Sequence, residues 1–393
     1  MRVDVITCSI SRMAGGLRDA IRDLYRSSAL KGIDLKIFSY RDVHAVDDLA
    51  GWHPLKVLLY KKLPFFYSYS ISKDLIASES TLLHVHGLWR YPHLFIRFWK
   101  NASNKVIVSP HGMFDPYILA HQSKVKRAIG NLMFSKIDFH LVDCYHALSL
   151  KELEDIRSYG ITSPVAIIPN GININEENFV RNTKKESKRL LFLARLHPKK
   201  GVDILLKAVG DIKQNNPDLL NNWGIDIVGW GQDNYPKKLR VLADELGLQD
   251  LVKFHGGVFD AAKDELYKKS DAYILPSHGE GLPMTVLEAW SWKLPVIITQ
   301  NCNLPEGFEA GAAIEIEASI QSVVEGLTKL FKMSDVQRSE MGLRGKALVE
   351  KDFTWEVSGK KMSELYRYVT YGGDVPHFVN LMDPQGSSNS IHV

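Results

Sequence analysis

Cysteine is scarce: Cys8, Cys144 and Cys302 are the only three in 393 residues, far apart, odd in number and without a C-x-x-C pair. That usage argues against a disulfide framework and against a thiolate zinc site, and predicts free thiols. Long apolar runs are also missing. No stretch approaches the roughly 18 residues that cross a membrane, and Met1 to Ile6 enters a strand pattern where a secretory leader needs a longer apolar region. A cytoplasmic chain is therefore expected. No G-x-G-x-x-G follows the first strand, which argues against dinucleotide binding, and no Asp-x-Asp offers a metal a pair of carboxylates. Neither sign of charge dominates, the net value being +4, and 45% hydrophobic against 24% charged residues is the composition of an ordinary globular protein.

A chain of this length exceeds one hydrophobic core, so about two domains are expected. The charge is unevenly shared between them. Residues 1–170 carry 22 Lys and Arg against 15 Asp and Glu, whereas the remainder carries 27 against 30. A basic first half predicts an anionic partner. Segments 52–76, 90–100 and 124–136 each mix basic and aromatic residues, the first with Lys56, Lys61 and Lys62 beside Leu63, Phe65, Phe66 and Tyr67. Three such segments predict a surface that lies peripherally on an anionic membrane. Nucleic acid is not expected, because nothing resembles a recognition helix or an RNA-binding sheet.

The stretch 271–299, DAYILPSHGEGLPMTVLEAWSWKLPVIIT, reads as strand, tight loop, helix, strand. Gly279 and Gly281 permit close backbone approach by a ligand, and free amides at the helix start, those of Gly281 and Leu282, suit an anion such as a phosphate. Glu280 stands in the loop and Glu288 farther along the helix, so the two carboxylates are placed to reach different parts of one elongated ligand. A sugar nucleotide has that shape.

Spaced as Glu280-x7-Glu288 and followed by Ala289 and Leu294-Pro295-Val296, this stretch resembles the signature of retaining glycosyltransferases of family 4, also called group 1. Lys293 departs from the small residue, often Gly, that the family places after this helix. The loop Arg195-Leu196-His197-Pro198-Lys199-Lys200-Gly201, after a predicted strand, is similar to the family's Arg-Leu-x-x-x-Lys-Gly pattern. Arg195 and Lys200 are cations suited to a diphosphate in either case. His111 is delivered by the strand ending at Ser109 to a Gly-containing loop, the end of an open sheet where ligands bind.

The resemblance implies a fold of two Rossmann-like α/β domains facing across a cleft, the GT-B arrangement. It implies a nucleotide-sugar donor, with Glu288 on the ribose, Glu280 on the transferred sugar and His111 contacting that sugar. It further assigns Gly15 and Gly16 to the site, and places the nucleobase at Val258 and Asp260 through backbone groups. Catalytic roles fall to Glu280, Arg195, Lys200 and His111. No metal or other cofactor is expected. His84 and His86 share one strand face and could ligate a metal, but the sequence places no third ligand, so no metal is expected there. The expected domains are 1–172, a linker 173–188, a second domain 189–354, a terminal helix 355–371 returning to the first domain, and a disordered tail 372–393. Together these readings predict a retaining sugar transferase acting on a lipid-linked glycan in surface polysaccharide assembly. A sugar-nucleotide epimerase and a non-catalytic nucleotide-sugar-binding subunit are the alternatives.

Overall fold

The computed structural model describes residues 1–61, 68–88, 96, 99–101, 103–116, 139–174, 187–232, 234–258 and 260–382. Most of segment 90–100, all of 124–136, and Lys62 to Tyr67 of the first basic-aromatic segment lie outside the described residues, as do residues 175–186 of the expected linker.

The chain divides into two compact units, one of Met1–Gly171 with the described residues from Trp355 on, the other of Ile172–Thr354. Each is a parallel-sheet α/β domain. In the first, β1 (Arg2–Thr7), β2 (Asp34–Tyr40), β3 (Lys56–Tyr60), β4 (Leu82–His86), β5 (Lys105–Ser109), β6 (Cys144–Ala147) and β7 (Val165–Ile167) lie in the order β7-β6-β5-β4-β1-β2-β3. The central strands are apolar on both faces, as helices packed on both sides of a sheet require: Val3, Val5, Val85, Val106, Ile107 and Val108 are fully buried. Helix α1 (Gly16–Arg26) buries Ala20, Ile21, Leu24 and Tyr25, one stripe at helical spacing. The periodicity predicts a helix to Leu30, but α1 stops at Arg26. Ser27 turns to ψ 137 and its hydroxyl accepts from the amide of Ala29, starting a separate 3-10 turn.

In the second unit, β8 (Lys188–Leu193), β9 (Trp223–Val228), β10 (Val252–Gly256), β11 (Ala272–Leu275), β12 (Val296–Thr299) and β13 (Ala313–Ile316) run parallel in the order β10-β9-β8-β11-β12-β13. After α2 (Leu150–Ser158) of the first unit, the helices that matter here are α3 (Val202–Asn215), α4 (Tyr235–Glu245), α5 (Asp260–Lys269) and α6 (Met284–Ser291). The sequence pattern predicts a helix over 202–209, but α3 runs on to Asn215, since Ile212 continues the buried stripe and the side chain of Leu246 packs where Gly210 has none. Lys293 sits at φ 57, the left-handed position after α6. Its amide donates to Trp290 O at 2.8 Å and that of Leu294 to Ala289 O at 3.0 Å, the paired bonds that end a helix at a position usually held by Gly. A lysine there costs about 1 kcal/mol of backbone strain.

The terminal helix, Trp355–Tyr371, packs within the first unit through Met362, Leu365 and Tyr366, all fully buried, whereas Val357, an expected packing position, is half-buried. Disorder from residue 372 is not what the structure has. Residues 372–382 are placed, Phe378 is buried, and Val379–Asn380 pairs antiparallel with β7. Asn380 Oδ1 accepts from Arg157 at 2.8 Å, so the polar composition that suggested a tail serves to cap a sheet edge.

Gly359 brings the terminal helix against the turn at Ser27, where a Cβ on Gly359 would lie 2.4 Å from Ser27 Oγ. Gly359→Ala is expected to lower the stability of the first unit by about 1–3 kcal/mol, read as a lower urea midpoint.

Candidate functional site

In the second unit the chain winds outward from β8 to β9 and β10, then crosses back to β11 on the other side of β8. Where that order reverses, the loops leaving β8 and β11 part and open a crevice at the carboxyl ends of the strands. The first loop folds as a 3-10 turn, Pro198–Lys200, with His197 Nδ1 accepting from the Lys199 amide at 3.1 Å. It ends at Gly201 in the left-handed conformation, φ 70. A Cβ on Gly201 would lie 2.1 Å from Pro276 O, so only glycine lets the two loops touch. The contact is tied by the His278 amide donating to Lys199 O at 2.8 Å and the Ser277 hydroxyl donating to the same oxygen at 3.0 Å.

This contact sets Lys200 against Glu280. The ammonium donates to both carboxylate oxygens at 2.6 Å, and the Glu280 side chain is only 9% exposed. The Glu280 backbone is held as well, its amide by Asn301 O at 2.8 Å and its carbonyl by Asn303 Nδ2 at 2.5 Å. Lys200 and Glu280 thus form one ion pair, whereas the sequence had assigned them to separate parts of a ligand. An ammonium has three protons, so the pairing leaves Lys200 able to donate elsewhere.

Arg195 is exposed and makes no ion pair among the described residues. It lines a cavity of about 550 Å³ with His197, Gln232, Asn234, Tyr235 and Lys238. Burial lowers the His197 pKa, and the neighbouring Arg195, Lys200 and Lys199 lower it further. Gly281 and Leu282 precede α6, and neither amide donates to a backbone oxygen among the described residues. Glu288, on α6, is held apart from Glu280 by partners of its own: Lys263 at 2.6 Å and the Tyr267 hydroxyl at 2.8 Å. Those two sit one turn apart on α5. Lys263, Tyr267 and Asn303 were missed from the sequence; a lysine and a tyrosine at i and i+4 facing a neighbouring helix was the available signal. Val258 is half-buried against the core, and Asp260 opens α5.

In the first unit the order reverses between β1 and β4. The loop after β1 is fixed by Ser9 and Ser11, whose hydroxyls donate to Asp42 Oδ2 at 2.6 and 2.8 Å. It ends at Gly15, φ 57, with Gly16 the first residue of α1. His111 stands in the left-handed region at φ 54, after β5. Its ring stacks on that of His86, centroids 5.1 Å apart, with Nε2 2.8 Å from His86 Nδ1. Burial lowers its pKa to about 3. The rings of His84 and His86 share one face, as the strand spacing predicted, 4.3 Å apart, and their nitrogens are engaged by Tyr25, Tyr366, Ser109 and His111. The His111 loop is held by a carboxylate from the helix Leu150–Ser158. Glu152 accepts from the Gly112 amide at 2.6 Å and from the Leu148 amide at 2.8 Å.

Two family models match the chain, "Glycosyltransferase Family 4" over residues 14–176 and "Glycosyl transferases group 1" over residues 173–347. An uncharacterized glycosyltransferase of Haemophilus influenzae is 35% identical over 167 residues, 39% of this chain and 44% of the relative. A GDP-mannose-dependent monoacylated alpha-(1-6)-phosphatidylinositol monomannoside mannosyltransferase of Corynebacterium glutamicum is 29% identical, over 44% of this chain and 45% of its own. The chain thus spans under half the length of these curated relatives. Among solved structures, an Anabaena protein in complex with UDP and glucose superposes with TM-score 0.71 at 17% identity, covering 93% of this chain and 99% of its own. A lipopolysaccharide outer core galactosyltransferase gives 0.69 at 19%, covering 93% and 100%. At such identities the likeness is one of fold.

Burial pushes the Glu152 carboxyl up to about 7 from 4.5, even though two amides donate to it. The folded state then keeps a proton that the unfolded chain loses, so stability present below pH 4.5 falls away as pH rises to about 7. Relative to wild type, Glu152→Gln is expected to gain about 3 kcal/mol between those limits, measured by urea unfolding of both proteins across the range.

Proposed function

The chain belongs to the group 1 glycosyltransferases of family 4 and has their GT-B fold, and we propose that it moves a sugar from a nucleotide diphosphate donor to an acceptor hydroxyl with retention of configuration. The observation that carries this reading is the Lys200–Glu280 ion pair at the reversal point of the second sheet. Charge in such a transfer develops mainly on the departing diphosphate, and groups fixed before the reaction stabilise it best. Arg195, the remaining donor capacity of Lys200 and the amides of Gly281 and Leu282 are the groups for that task. Glu288, oriented by Lys263 and Tyr267, binds the ribose, and Val258 and the backbone at Asp260 bind the base. Gly15, Gly16 and His111 belong to the sugar side.

Glu280 is a poor covalent nucleophile, because Lys200 neutralises it and occupies both oxygens. Its role is to bind the transferred sugar and to hold Lys200 in place, while attack proceeds from the same face with the leaving phosphate accepting the acceptor's proton. No metal takes part in this scheme. Glu280→Gln is expected to lower kcat on the order of 100-fold in a folded protein; near-full turnover would remove any charge-dependent role for it.

The acceptor in this reading is a lipid-linked glycan in surface polysaccharide assembly, met at the cytoplasmic membrane face. The basic first half supports it, together with relatives named for a phosphatidylinositol mannoside and for lipopolysaccharide. A panel of UDP-, GDP- and ADP-sugars, with and without membrane lipid extract and with EDTA present, tests the whole scheme. Label moving into the lipid fraction with release of one nucleotide is the expected result. Isomerised donor without acceptor would replace it with an epimerase, and binding without turnover with a carrier subunit.

A further inference from the structure

Behind His111 the first unit holds a buried row of polar groups that no step above uses. Every contact in it is of hydrogen-bond length. In order inward they are His111 Nε2 to His86 Nδ1, 2.8 Å; His86 Nε2 to the Tyr25 hydroxyl, 2.8 Å; Tyr25 to the Tyr366 hydroxyl, 3.1 Å; and Tyr366 to His84 Nδ1, 2.6 Å. The row continues from His84 Nε2 to the Ser109 hydroxyl, 2.7 Å; from Ser109 to His146 Nδ1, 2.7 Å; and from His146 Nε2 to the carbonyl of Ile168, 2.8 Å.

The last member decides the rest. A carbonyl only accepts, so His146 carries its proton on Nε2 and, being neutral, accepts at Nδ1 from Ser109. Ser109 then accepts from His84 Nε2–H, which leaves His84 Nδ1 to accept from Tyr366 across the shortest contact of the row. Tyr25 donates to Tyr366 and accepts from His86 Nε2–H, and His86 Nδ1 accepts from His111 Nε2–H. Each proton is used once, all seven contacts are bonds, and every donor points inward. The opposite choice at Tyr25, donation to His86, leaves both tyrosine oxygens without a donor and makes one bond fewer, a poor solution in a buried site. Neutral rings are what burial enforces here: it lowers the pKa of His84 and His86 well below the usual value and that of His146 to about 4.

We propose that His86, Tyr25, Tyr366, His84, Ser109 and His146 are positioning residues whose one-way chain holds His111 in the Nε2–H tautomer, so that its Nδ1 faces a ligand as a hydrogen-bond acceptor. Nδ1 has no partner among the described residues. Such a nitrogen selects a group that donates, and on the transferase reading, on which this last assignment rests, that group is a hydroxyl of the transferred sugar. The chain is also blind. It ends on a carbonyl that has no proton to pass on, so it orients His111 without relaying protons from it.

The test uses the full-length protein carrying isotope-labelled histidine, in a proton–nitrogen correlation spectrum that separates the two neutral tautomers and the cation. Wild type is expected to show His111, His86, His84 and His146 all as neutral Nε2–H. Tyr366→Phe leaves His111 unchanged, because Tyr25 already lies 3.0 Å from His84 Nδ1 and takes over the donation. Tyr25→Phe removes the acceptor for His86 and is expected to flip both His86 and His111 to Nδ1–H. A wild-type His111 in the Nδ1–H form, or one that is cationic at neutral pH, or one that Tyr25→Phe leaves unmoved, overturns the proposal. No ligand is present in this spectrum, so the expected tautomers with an inactive donor panel would sink the transferase reading and leave the chain standing.

Discussion

The second unit depends on one close approach, that of Gly201 to the carbonyl of Pro276. A parallel sheet wound outward from its middle forces the loops after β8 and β11 apart at their tips, yet they must meet at their base for the site to be rigid. The left-handed glycine allows that meeting, and the bonds from Ser277 and His278 to Lys199 fasten it. From it follow the Lys200–Glu280 pair and the exposure of Gly281. Desolvating an ion pair costs most when geometry is loose. Here the backbone on both sides of Glu280 is anchored by Asn301 and Asn303, so little side-chain freedom is left to lose on pairing.

The first unit meets a different constraint. Its sheet buries imidazoles and hydroxyls among apolar side chains, and a buried polar group without a partner costs about 1–3 kcal/mol. Satisfaction comes from five elements at once, with Tyr25 on α1, Tyr366 on the terminal helix, His84 and His86 on β4, Ser109 on β5 and His146 on β6. Such a layer is worth having only if it is complete, which ties the arrangement of His111 to residues far from any ligand.

Much of this was legible beforehand. The strand-loop-helix at 271–299 and the cations at 195–200 stood out because glycine, carboxylate and cation occur at loop ends, where side-chain type reports directly on backbone need. The limits of α1 and α3 were not, since Ser27 ends one helix by a local side-chain bond and Leu246 rescues Gly210 in the other by a contact far along the chain. Lys263 and Tyr267 were invisible for the same reason: on α5 they look like a solvated lysine and a core tyrosine until α6 is laid beside them. Residues 372–382 were misjudged because edge pairing with β7 is a tertiary event that a polar, glycine-containing composition does not announce.

Tyr25 and Tyr366 are 341 positions apart. At about 5–20 residues per second on the ribosome, the first strand and α1 wait roughly 20–70 s for the hydroxyl that completes their polar layer. The second unit, contiguous from Ile172 to Thr354, has all its strands before then. The N-terminal half is therefore made first and finished last. A nascent or prematurely terminated chain presents a folded second unit beside a first unit with open hydrogen bonds, which is the kind of species that chaperones hold and proteases remove.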